Sequence, residues 1–372
     1  MPDSEPSPTI ASYLAAFEPC PGHLDFARSG PPARSTAQAA AAYWSRMTMG
    51  DVDEASEDAA ARVAVSRLTG FAADDIALIP NTSLGLFHTA FALRGAEVLV
   101  SRGEFPANLY PWWRAEELGI LRVRDMPGAR LTAPVTPERV AAALRPSTTA
   151  VAVSAVDFRT GWRADLAGLR ETIGDRLLIV DAIQAAGVVD LPWHLADVVV
   201  AGGQKWLRAG WGTGFVAVSE RARTRLAPRL SGWTAVERPT SYDGRRHPLA
   251  AGAQHMRVTN GSPASAHVLS AALGLVTDVG VPEIERLVSA RVTALDDRLR
   301  AGGADVVSPA AASDRAGIVV ARWGDGSAGE RRRRLADAGI TTTLHGPDRI
   351  RLSVHATTTL DDIETAASVL LS

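Results

Sequence analysis

The chain has 372 residues, which is enough to bury a large core and to form two domains. Hydrophobic residues make up 46%, charged residues 22%, and the net charge is -2, a balance typical of globular proteins and not of nucleic-acid-binding ones. One cysteine excludes an internal disulfide and a multi-cysteine metal site. Without a long apolar run or a signal-peptide core, we expect a cytoplasmic protein with no membrane segment and no metal.

Helical and loop patterns come first along the chain. Residues 1–22 are expected to form a lead-in with one short helix, followed by a loop over residues 23–32 that contains several Gly and Pro. Residues 35–47 and 56–69 have helical patterns, and Gly70 is placed to end the second of these helices.

Short β-rich runs then alternate with helical stretches. The strand-like runs are 98–101, 150–156, 177–181, 198–201 and 214–219. Most of them lack in/out alternation, as expected where helices cover both faces of a sheet. Thr136 and Pro137 supply an N-cap and a first-turn proline for one intervening helix. The alternation predicts an α/β domain with a mostly parallel sheet.

The pattern changes near residue 260. One long helix is expected over 264–301, then strand-like runs at 317–322 and 349–353 with a helix between them, and a last helix over 360–371. These elements predict a small α+β domain. The expected organisation is a lead-in (1–22), a large α/β domain (23–260) and a small C-terminal domain (261–372).

Lysine usage singles out one residue. The sequence has 39 Lys and Arg residues together, and Lys205 is the only lysine among them. Arg can serve wherever charge alone matters, but only a primary amine can lose its proton and condense with a carbonyl. The sole lysine therefore indicates an imine-forming (Schiff-base) residue, with a surface lysine retained by chance as the alternative.

Polar and aromatic residues follow the predicted strands, at the sheet edge where α/β proteins bind ligands. In strand order they are Glu104, Phe105, Pro106 and Asn108, then Asp157 and Arg159, then Asp181 and Gln184, then Gln204 and Lys205. Each could singly be a cap, surface or core residue, but together they indicate one site. They suit an aldehyde cofactor with a pyridine ring, whose phosphate would bind at the helix start marked by Thr82 and Ser83.

Segments spread over nearly the whole chain resemble the class V aminotransferase-fold family, which binds pyridoxal 5′-phosphate (PLP). They are 24–27 (LDFA), 81–83 (NTS), 104–112 (EFPANLYPW), 180–187 (VDAIQAAG), 203–206 (GQKW), 212–215 (GTGF), 260–263 (NGSP) and 351–353 (RLS). The resemblance implies a fold-type-I PLP enzyme, with a large mostly parallel-sheet domain and a smaller C-terminal α+β domain. It also implies a homodimer that acts on a small amino-acid substrate.

The resemblance assigns roles around the cofactor ring. Lys205 is expected to hold the cofactor as an imine, and Asp181 to pair with the pyridinium nitrogen. Phe105 is expected to stack on the ring, and Gln184 to contact the 3′ oxygen.

Further roles concern the phosphate and the substrate. The resemblance implies that the phosphate is held by Thr82, Ser83 and Gln204, with Ser262 donated across the dimer interface. The residues expected to bind substrate are Arg351, through the α-carboxylate, and also Arg159, Asp157, Arg28 and Asn108.

Three departures bear on the reaction. Phe105 stands where desulfurases of this family stack a histidine, and Gln204 stands where the family usually has another. The C-terminal half contains no cysteine, so cysteine-desulfurase chemistry is not expected.

Residues 157–165 resemble the branch that contains isopenicillin-N-epimerase-like proteins, kynureninases and C–S lyases. We therefore expect β-elimination from a cysteine S-conjugate in antibiotic or thiol biosynthesis, or decarboxylation-coupled oxidative deamination of such a conjugate. An aminotransferase, an epimerase and a degenerate cofactor-binding regulatory protein remain as alternatives. Five tryptophans are expected either to line a pocket for a bulky side chain or to pack in the core: Trp112, Trp113, Trp162, Trp206 and Trp211.

Overall fold

The structure is a computed structural model that describes residues 8–128 and 130–372. Its α-helices are α1 Pro8–Ala15, α2 Arg34–Thr48, α3 Glu54–Thr69, α4 Thr82–Ala92, α5 Tyr110–Glu117, α6 Pro137–Ala143, α7 Leu166–Ile173, α8 Glu220–Arg225, α9 Pro263–Val279, α10 Val281–Ala301, α11 Ala328–Asp337 and α12 Leu360–Leu371. Its strands are β1 Ile76–Leu78, β2 Glu97–Val100, β3 Arg122–Asp125, β4 Ala150–Ser154, β5 Leu177–Asp181, β6 Val198–Gly202, β7 Gly214–Val218, β8 Asp305–Val306, β9 Ile318–Arg322, β10 Thr343–His345 and β11 Arg349–Ser353.

A seven-stranded sheet forms the centre of the molecule, in the order β1-β7-β6-β5-β4-β2-β3. All neighbours from β6 to β3 are parallel, whereas β7 is antiparallel to both of its neighbours. Along β5, Leu178 and Val180 belong to one hydrophobic cluster, and Leu177 and Ile179 to a second. Because both faces of the strand are buried, its sequence shows no polar alternation. The predicted α/β class with a mostly parallel sheet is confirmed.

A second, smaller sheet lies in the C-terminal part, in the order β10-β11-β9-β8 with every pair antiparallel. Helix α10 packs on β9, and α11 and α12 pack on each other. This confirms the smaller C-terminal α+β unit. The boundaries proposed at residues 22/23 and 260/261 remain predictions.

The start of the described chain lies against this small sheet. The Leu24 amide donates to the Thr341 carbonyl at 3.2 Å, and the Ser353 amide donates to the Leu24 carbonyl at 2.8 Å. Helix α1 buries Ile10 and Tyr13 in the main hydrophobic cluster. The predicted short helix is therefore present and packed, while residues 1–7 of the predicted lead-in lie outside the described residues.

Two expectations about elements are corrected. The helix expected over 264–301 is two helices, α9 and α10, which meet at 82° around Gly280, where φ is 84°. Strands β1, β3, β8 and β10 were not among the expected runs; they span only two to four residues. No single helix among the described residues is long and apolar enough to cross a membrane. Helices α9 and α10 together have the length and composition of a membrane span, but they are bent by 82°.

Candidate active site

The ends of β5 and β6 bring an amine and a carboxylate to the same edge of the large sheet. Asp181 ends β5 and is 2% exposed, and its Oδ1 accepts from the Ile183 amide at 3.1 Å. Burial raises the pKa of Asp181 to about 6, and burial lowers the pKa of Lys205 to about 8 against the attraction of Asp181. The second Asp181 oxygen has no hydrogen-bond partner among the described residues, so it is available to a ligand N–H.

An aromatic side chain faces the lysine. The Lys205 Nζ lies 5.5 Å from the centroid of the Phe105 ring. Phe105 is 42% exposed, so part of its ring is accessible to a ligand. Its other neighbour is Phe158, edge-on at 5.0 Å between centroids. The geometry suits a planar ligand lying on Phe105 within reach of Lys205.

The N-terminus of helix α4 lies beside the lysine loop. The Asn81 Oδ1 caps the helix by accepting from the Leu84 amide at 3.0 Å, which leaves the Thr82 and Ser83 amides without acceptors among the described residues. The Gly202 amide donates to the Thr82 Oγ1 at 2.8 Å. Free amides at a helix N-terminus form an anion-binding site, so this end suits a phosphate.

Glycine makes the approach of this helix possible. A Cβ on Gly202 would lie 2.6 Å from the Gln204 Oε1 and 3.2 Å from the Thr82 Oγ1. The Gln204 side chain is 9% exposed, and it has no hydrogen-bond partner in the described part of the chain. The structure thus brings three of the predicted phosphate residues together: Thr82, Ser83 and Gln204.

Gln184 is held on both sides of its amide. Its Nε2 donates to the Ala27 carbonyl at 3.0 Å, and its Oε1 accepts from the Trp206 indole at 2.7 Å. One amide N–H remains for a ligand oxygen. The tryptophan that orients it, together with Trp112, is at most 1% exposed, so the pocket-lining expectation is wrong for these two.

Ser262 caps a helix of this chain. It is the exposed N-cap of α9, and its Oγ accepts from the Ser265 amide at 3.2 Å. It borders a cavity of about 560 Å³ that is also lined by Leu84 and His88 but not by Lys205. Its predicted contact with a partner's phosphate therefore remains a prediction.

Arg351 is 5% exposed and loosely held. Its Nη2 donates to the Asp25 Oδ1 at 3.4 Å and to the Thr343 Oγ1 at 3.3 Å, and its Nη1 donates to the Phe158 carbonyl at 3.4 Å. Its Nε is buried and has no partner among the described residues. The long bonds and the unpaired Nε leave this guanidinium able to bind a carboxylate.

Asp25 and Thr343 are functional candidates that sequence reasoning missed. The Thr343 hydroxyl donates to the Asp25 carboxylate at 2.8 Å, and the two residues are 318 positions apart. The only local signal was the resemblance of residues 24–27 to the family's N-terminal loop. These residues position Arg351 from opposite ends of the chain.

Two other predicted substrate residues, Asp157 and Arg28, differ in their contacts and exposure. The Asp157 Oδ1 accepts from the Arg159 amide at 2.5 Å and the Thr160 amide at 3.0 Å, so it caps a turn. Arg28 is exposed, and its charge adds to burial in lowering the pKa of Arg351. The site thus has an exposed cation, Arg28, whose charge acts on Arg351.

Asn108 is fully buried, and its contacts in this structure are internal. Its Nδ2 donates to the Glu104 Oε2 at 3.2 Å, and its Oδ1 accepts from the Trp112 indole at 3.1 Å. The Ser154 amide donates to the other Glu104 oxygen at 3.0 Å, and burial raises the pKa of Glu104 to about 7. The network fixes the segment that carries Phe105, and a role for Asn108 toward substrate stays a prediction.

Comparison with known proteins places this fold and site in a family. The aminotransferase class-V family model matches residues 46–364. The chain therefore belongs to the aminotransferase class-V family, whose members are fold-type-I enzymes for which PLP is the implied cofactor.

Among curated proteins, the "Uncharacterized aminotransferase YcbU" of Bacillus subtilis (strain 168) is 28% identical over 235 residues, 60% of each chain. A kynureninase of Burkholderia mallei is 31% identical over 180 residues, 45% of this chain and 42% of the relative. The chain thus spans 60% of the first relative's length and less than half of the second's.

Solved structures share the fold at low identity. The cystine C-S lyase C-DES, in complex with its product cysteine persulfide, gives a TM-score of 0.86 at 20% identity, covering 95% of this chain and 97% of that one. A cysteine desulfurase from Thermococcus onnurineus NA1 gives 0.82 at 20% identity, covering 94% of both chains.

The residues of the site fit PLP. The free oxygen of Asp181 suits the ring N–H, the open face of Phe105 suits the ring, and the amine of Lys205 suits the aldehyde. The α4 N-terminus suits the phosphate. Among the described residues there is no His/Cys/Asp/Glu group that could hold a metal ion.

Proposed function

We propose that this chain is a PLP-dependent lyase that eliminates a thiol from the β-carbon of a cysteine S-conjugate in small-molecule biosynthesis. One observation carries the proposal: the amine of Lys205, with a pKa of about 8, faces the non-titrating ring of Phe105. Lys205 is then the group that transfers the proton at the substrate α-carbon. That arrangement suits an elimination, which needs a base at the α-carbon and no acid–base residue stacked on the ring.

Each residue has a defined task in this proposal. PLP, when bound, supplies an electron sink conjugated to the substrate α-carbon. Asp181 keeps the ring nitrogen protonated, and Arg351 holds the α-carboxylate. Lys205 removes the α-proton, and its lowered pKa leaves part of it as free base near neutral pH.

The overall reaction balances without an oxidant. The Cα–H and Cβ–S bonds break, the sulfur leaves with the bonding pair and takes a proton, and water releases the remaining carbon skeleton. The products are a thiol, pyruvate and ammonia. The C–S lyase among the structural neighbours supports this choice only at the level of the fold.

An aminotransferase is the second candidate, supported by the relative that bears that description. The test is to incubate the holoenzyme with a cysteine S-conjugate and no keto acid, and to follow products by mass spectrometry. We expect thiol, pyruvate and ammonia over many turnovers. A single turnover that resumes only when keto acid is added would establish the aminotransferase instead.

The same assay separates the remaining alternatives. Released CO2 would indicate decarboxylation-coupled oxidative deamination, and recovery of the D-amino acid would indicate an epimerase. Lys205→Ala serves as the control, because it removes the amine and should abolish both turnover and covalent trapping of PLP by borohydride. A wild-type protein that binds no PLP in either test would support the regulatory reading.

A further inference from the structure

Arg159 presents two guanidinium Nη atoms that no group in the described chain binds. Its Cζ lies 4.6 Å from the centroid of the Phe158 ring, and its Nε donates to the Gly103 carbonyl at 3.1 Å. Its two Nη atoms have neither a hydrogen-bond acceptor nor a carboxylate partner among the described residues. The stacking on Phe158 and the hydrogen bond to Gly103 fix the plane of the guanidinium. Its two Nη atoms, which we call the free fork, remain available to a ligand.

This fork lies beside the candidate site. The Lys205 Nζ is 5.5 Å from the Phe105 centroid, and the Phe105 centroid is 5.0 Å from that of Phe158. Arg351 donates to the Phe158 carbonyl at 3.4 Å. Phe158 therefore lies between two guanidinium groups, one at its carbonyl and one, that of Arg159, on its ring.

Two of the neighbouring arginines have carboxylate partners, and Arg159 has none. Arg349 pairs with Asp348 at 3.2 Å, and Arg351 pairs with Asp25 at 3.4 Å. The adjacent carboxylate, on Asp157, accepts from backbone amides instead of from a guanidinium. Arg159 is partly buried, and burial lowers its pKa although the charges of Asp157 and Glu104 act to raise it. Neither of these carboxylates forms a hydrogen bond or ion pair with the guanidinium.

We propose that Arg159 forms a second anion-binding position, so that the substrates are amino acids whose side chain or leaving group carries a distal carboxylate. The inference rests on the proposed function for the orientation of the substrate, with its α-carboxylate on Arg351 and its reacting carbon at Lys205. The distal anion would then extend past Phe105 and Phe158 to the free fork. Planar bidentate pairing of a guanidinium with a carboxylate is the recognition this geometry suits.

His345 borders the same position. Its ring is edge-on to Phe158 at 5.6 Å between centroids. Burial and the charges of the surrounding arginines Arg351, Arg159 and Arg349 lower the pKa of His345 to about 4. His345 is therefore neutral at pH 7, where it can donate one hydrogen bond, while the charge comes from Arg159.

The test uses unreactive diacids, so that binding is measured without bond cleavage. Succinate, glutarate and adipate are titrated calorimetrically into the PLP-loaded protein, each beside its monoamide. We expect the best-fitting diacid to bind about tenfold or more tightly than its monoamide, since the amide cannot form a charged pair with Arg159. Equal affinity within all three pairs would overturn the inference.

Variants assign the effect to one residue. Arg159→Gln should abolish the preference for the diacid, and Arg159→Lys should retain part of it through charge alone. Arg298→Gln removes an exposed arginine paired with Glu364 and should leave the preference intact. A preference that survives in Arg159→Gln but is lost in Arg28→Gln would overturn the assignment.

A second arm separates this inference from the proposed function. S-(2-carboxyethyl)cysteine and its side-chain amide are compared as substrates, and we expect kcat/KM to favour the acid about tenfold. Cleavage of both at equal rates would refute the inference and keep the lyase. Selective diacid binding with no thiol released from either conjugate would keep the inference and refute the lyase.

Discussion

At the scale of residues, burial shifts the pKa values of both Asp181 and Lys205. Asp181 and Lys205 are taken out of water by the same sheet edge, so burial raises the pKa of the acid and lowers that of the amine. The two values, about 6 and about 8, lie close to neutrality. Groups with such values can exchange protons near physiological pH.

Asp181→Asn should bind PLP but turn over at least about a hundredfold more slowly, because a neutral amide cannot hold the ring nitrogen's proton. The measurement is kcat under saturating S-conjugate, together with the visible absorbance of the bound cofactor. Retained absorbance with lost turnover is the expected pair. Turnover close to wild type would remove Asp181 from this role.

Glu104 gives a prediction about stability against pH. Burial raises its pKa from 4.5 to about 7, so the folded state holds the proton more tightly than the unfolded state. Its stabilising contribution is complete below about pH 4.5 and is lost as the pH rises through about 7. We expect a loss of up to about 3 kcal/mol in the free energy of unfolding across this window, measured by urea denaturation.

The matched variants are Glu104→Gln and Glu330→Gln. The first removes the titrating group from the network with Ser154 and Asn108 and should flatten the pH dependence. The second changes an exposed glutamate on α11 and should keep the wild-type slope. Identical slopes in all three proteins would show that Glu104 does not titrate in this range.

Site residues were predictable where the chemistry requires one residue type and where the residue follows a predicted strand. Lys205 and Asp181 were assigned from a sole lysine and from strand ends, and the fold places both at one edge. The contact between Arg351 and Asp25 was not predictable, because it joins positions 326 residues apart. No local pattern records a pairing that only tertiary packing creates.

At the scale of elements, Gly280 decides where one helix becomes two. Its φ of 84° and ψ of 139° lie in a region that L-residues rarely adopt. Apolar periodicity continues on both sides of it, from α9 into α10, which is why the sequence predicted one helix. Gly and Pro signals lowered the helical propensity at 280–282 without revealing an 82° turn.

Gly280→Ala should lower the free energy of unfolding by about 1–2 kcal/mol, because alanine is strained at this φ. Gly274→Ala is the control within α9, where a Cβ would meet nothing within 4 Å. It should raise stability by up to about 1 kcal/mol through helix propensity. Urea denaturation at one pH compares the two, and equal effects would contradict the assignment.

Buried strands were predicted from the sequence, whereas exposed edge strands were not. β4, β5 and β6 are apolar along almost their whole length and were found within two residues at each end. β3 contains three charged residues in four, and β10 carries two polar residues in three, so neither has a strand-like pattern. Such edge strands are defined by the neighbour they pair with.

At the scale of the whole molecule, the family resemblance predicts a dimer. Trp44, Trp211 and Tyr242 are 60%, 73% and 85% exposed, so each is free to be covered by a partner chain. We expect a homodimer whose sites are shared through Ser262. Light scattering should give the mass of two chains.

Mixing inactive variants tests the shared site. Lys205→Ala and Ser262→Asp, which keeps an N-cap but repels phosphate, should each be nearly inactive. Half of the dimers in an equilibrated mixture carry one intact site, so about a quarter of wild-type activity should return. A mixture of Lys205→Ala with Asp181→Asn should regain none, since both changes affect the same chain's site. No recovery in the first mixture would contradict sharing.

The pairing of residues 22–25 with the small sheet has a consequence for the order of synthesis. Tyr13 contacts His355 at a sequence separation of 342, and Asp25 contacts Arg351 at a separation of 326. On the ribosome, at about 5–20 residues per second, the early segment must wait tens of seconds for its partners. The seven strands of the large sheet are complete by residue 218, long before β11 emerges. Arg351 is therefore set in place only after the strands of the large sheet. The loop that carries Lys205 waits as well, because Arg208 donates to the Thr357 Oγ1 at 3.1 Å and needs that late partner to complete its packing.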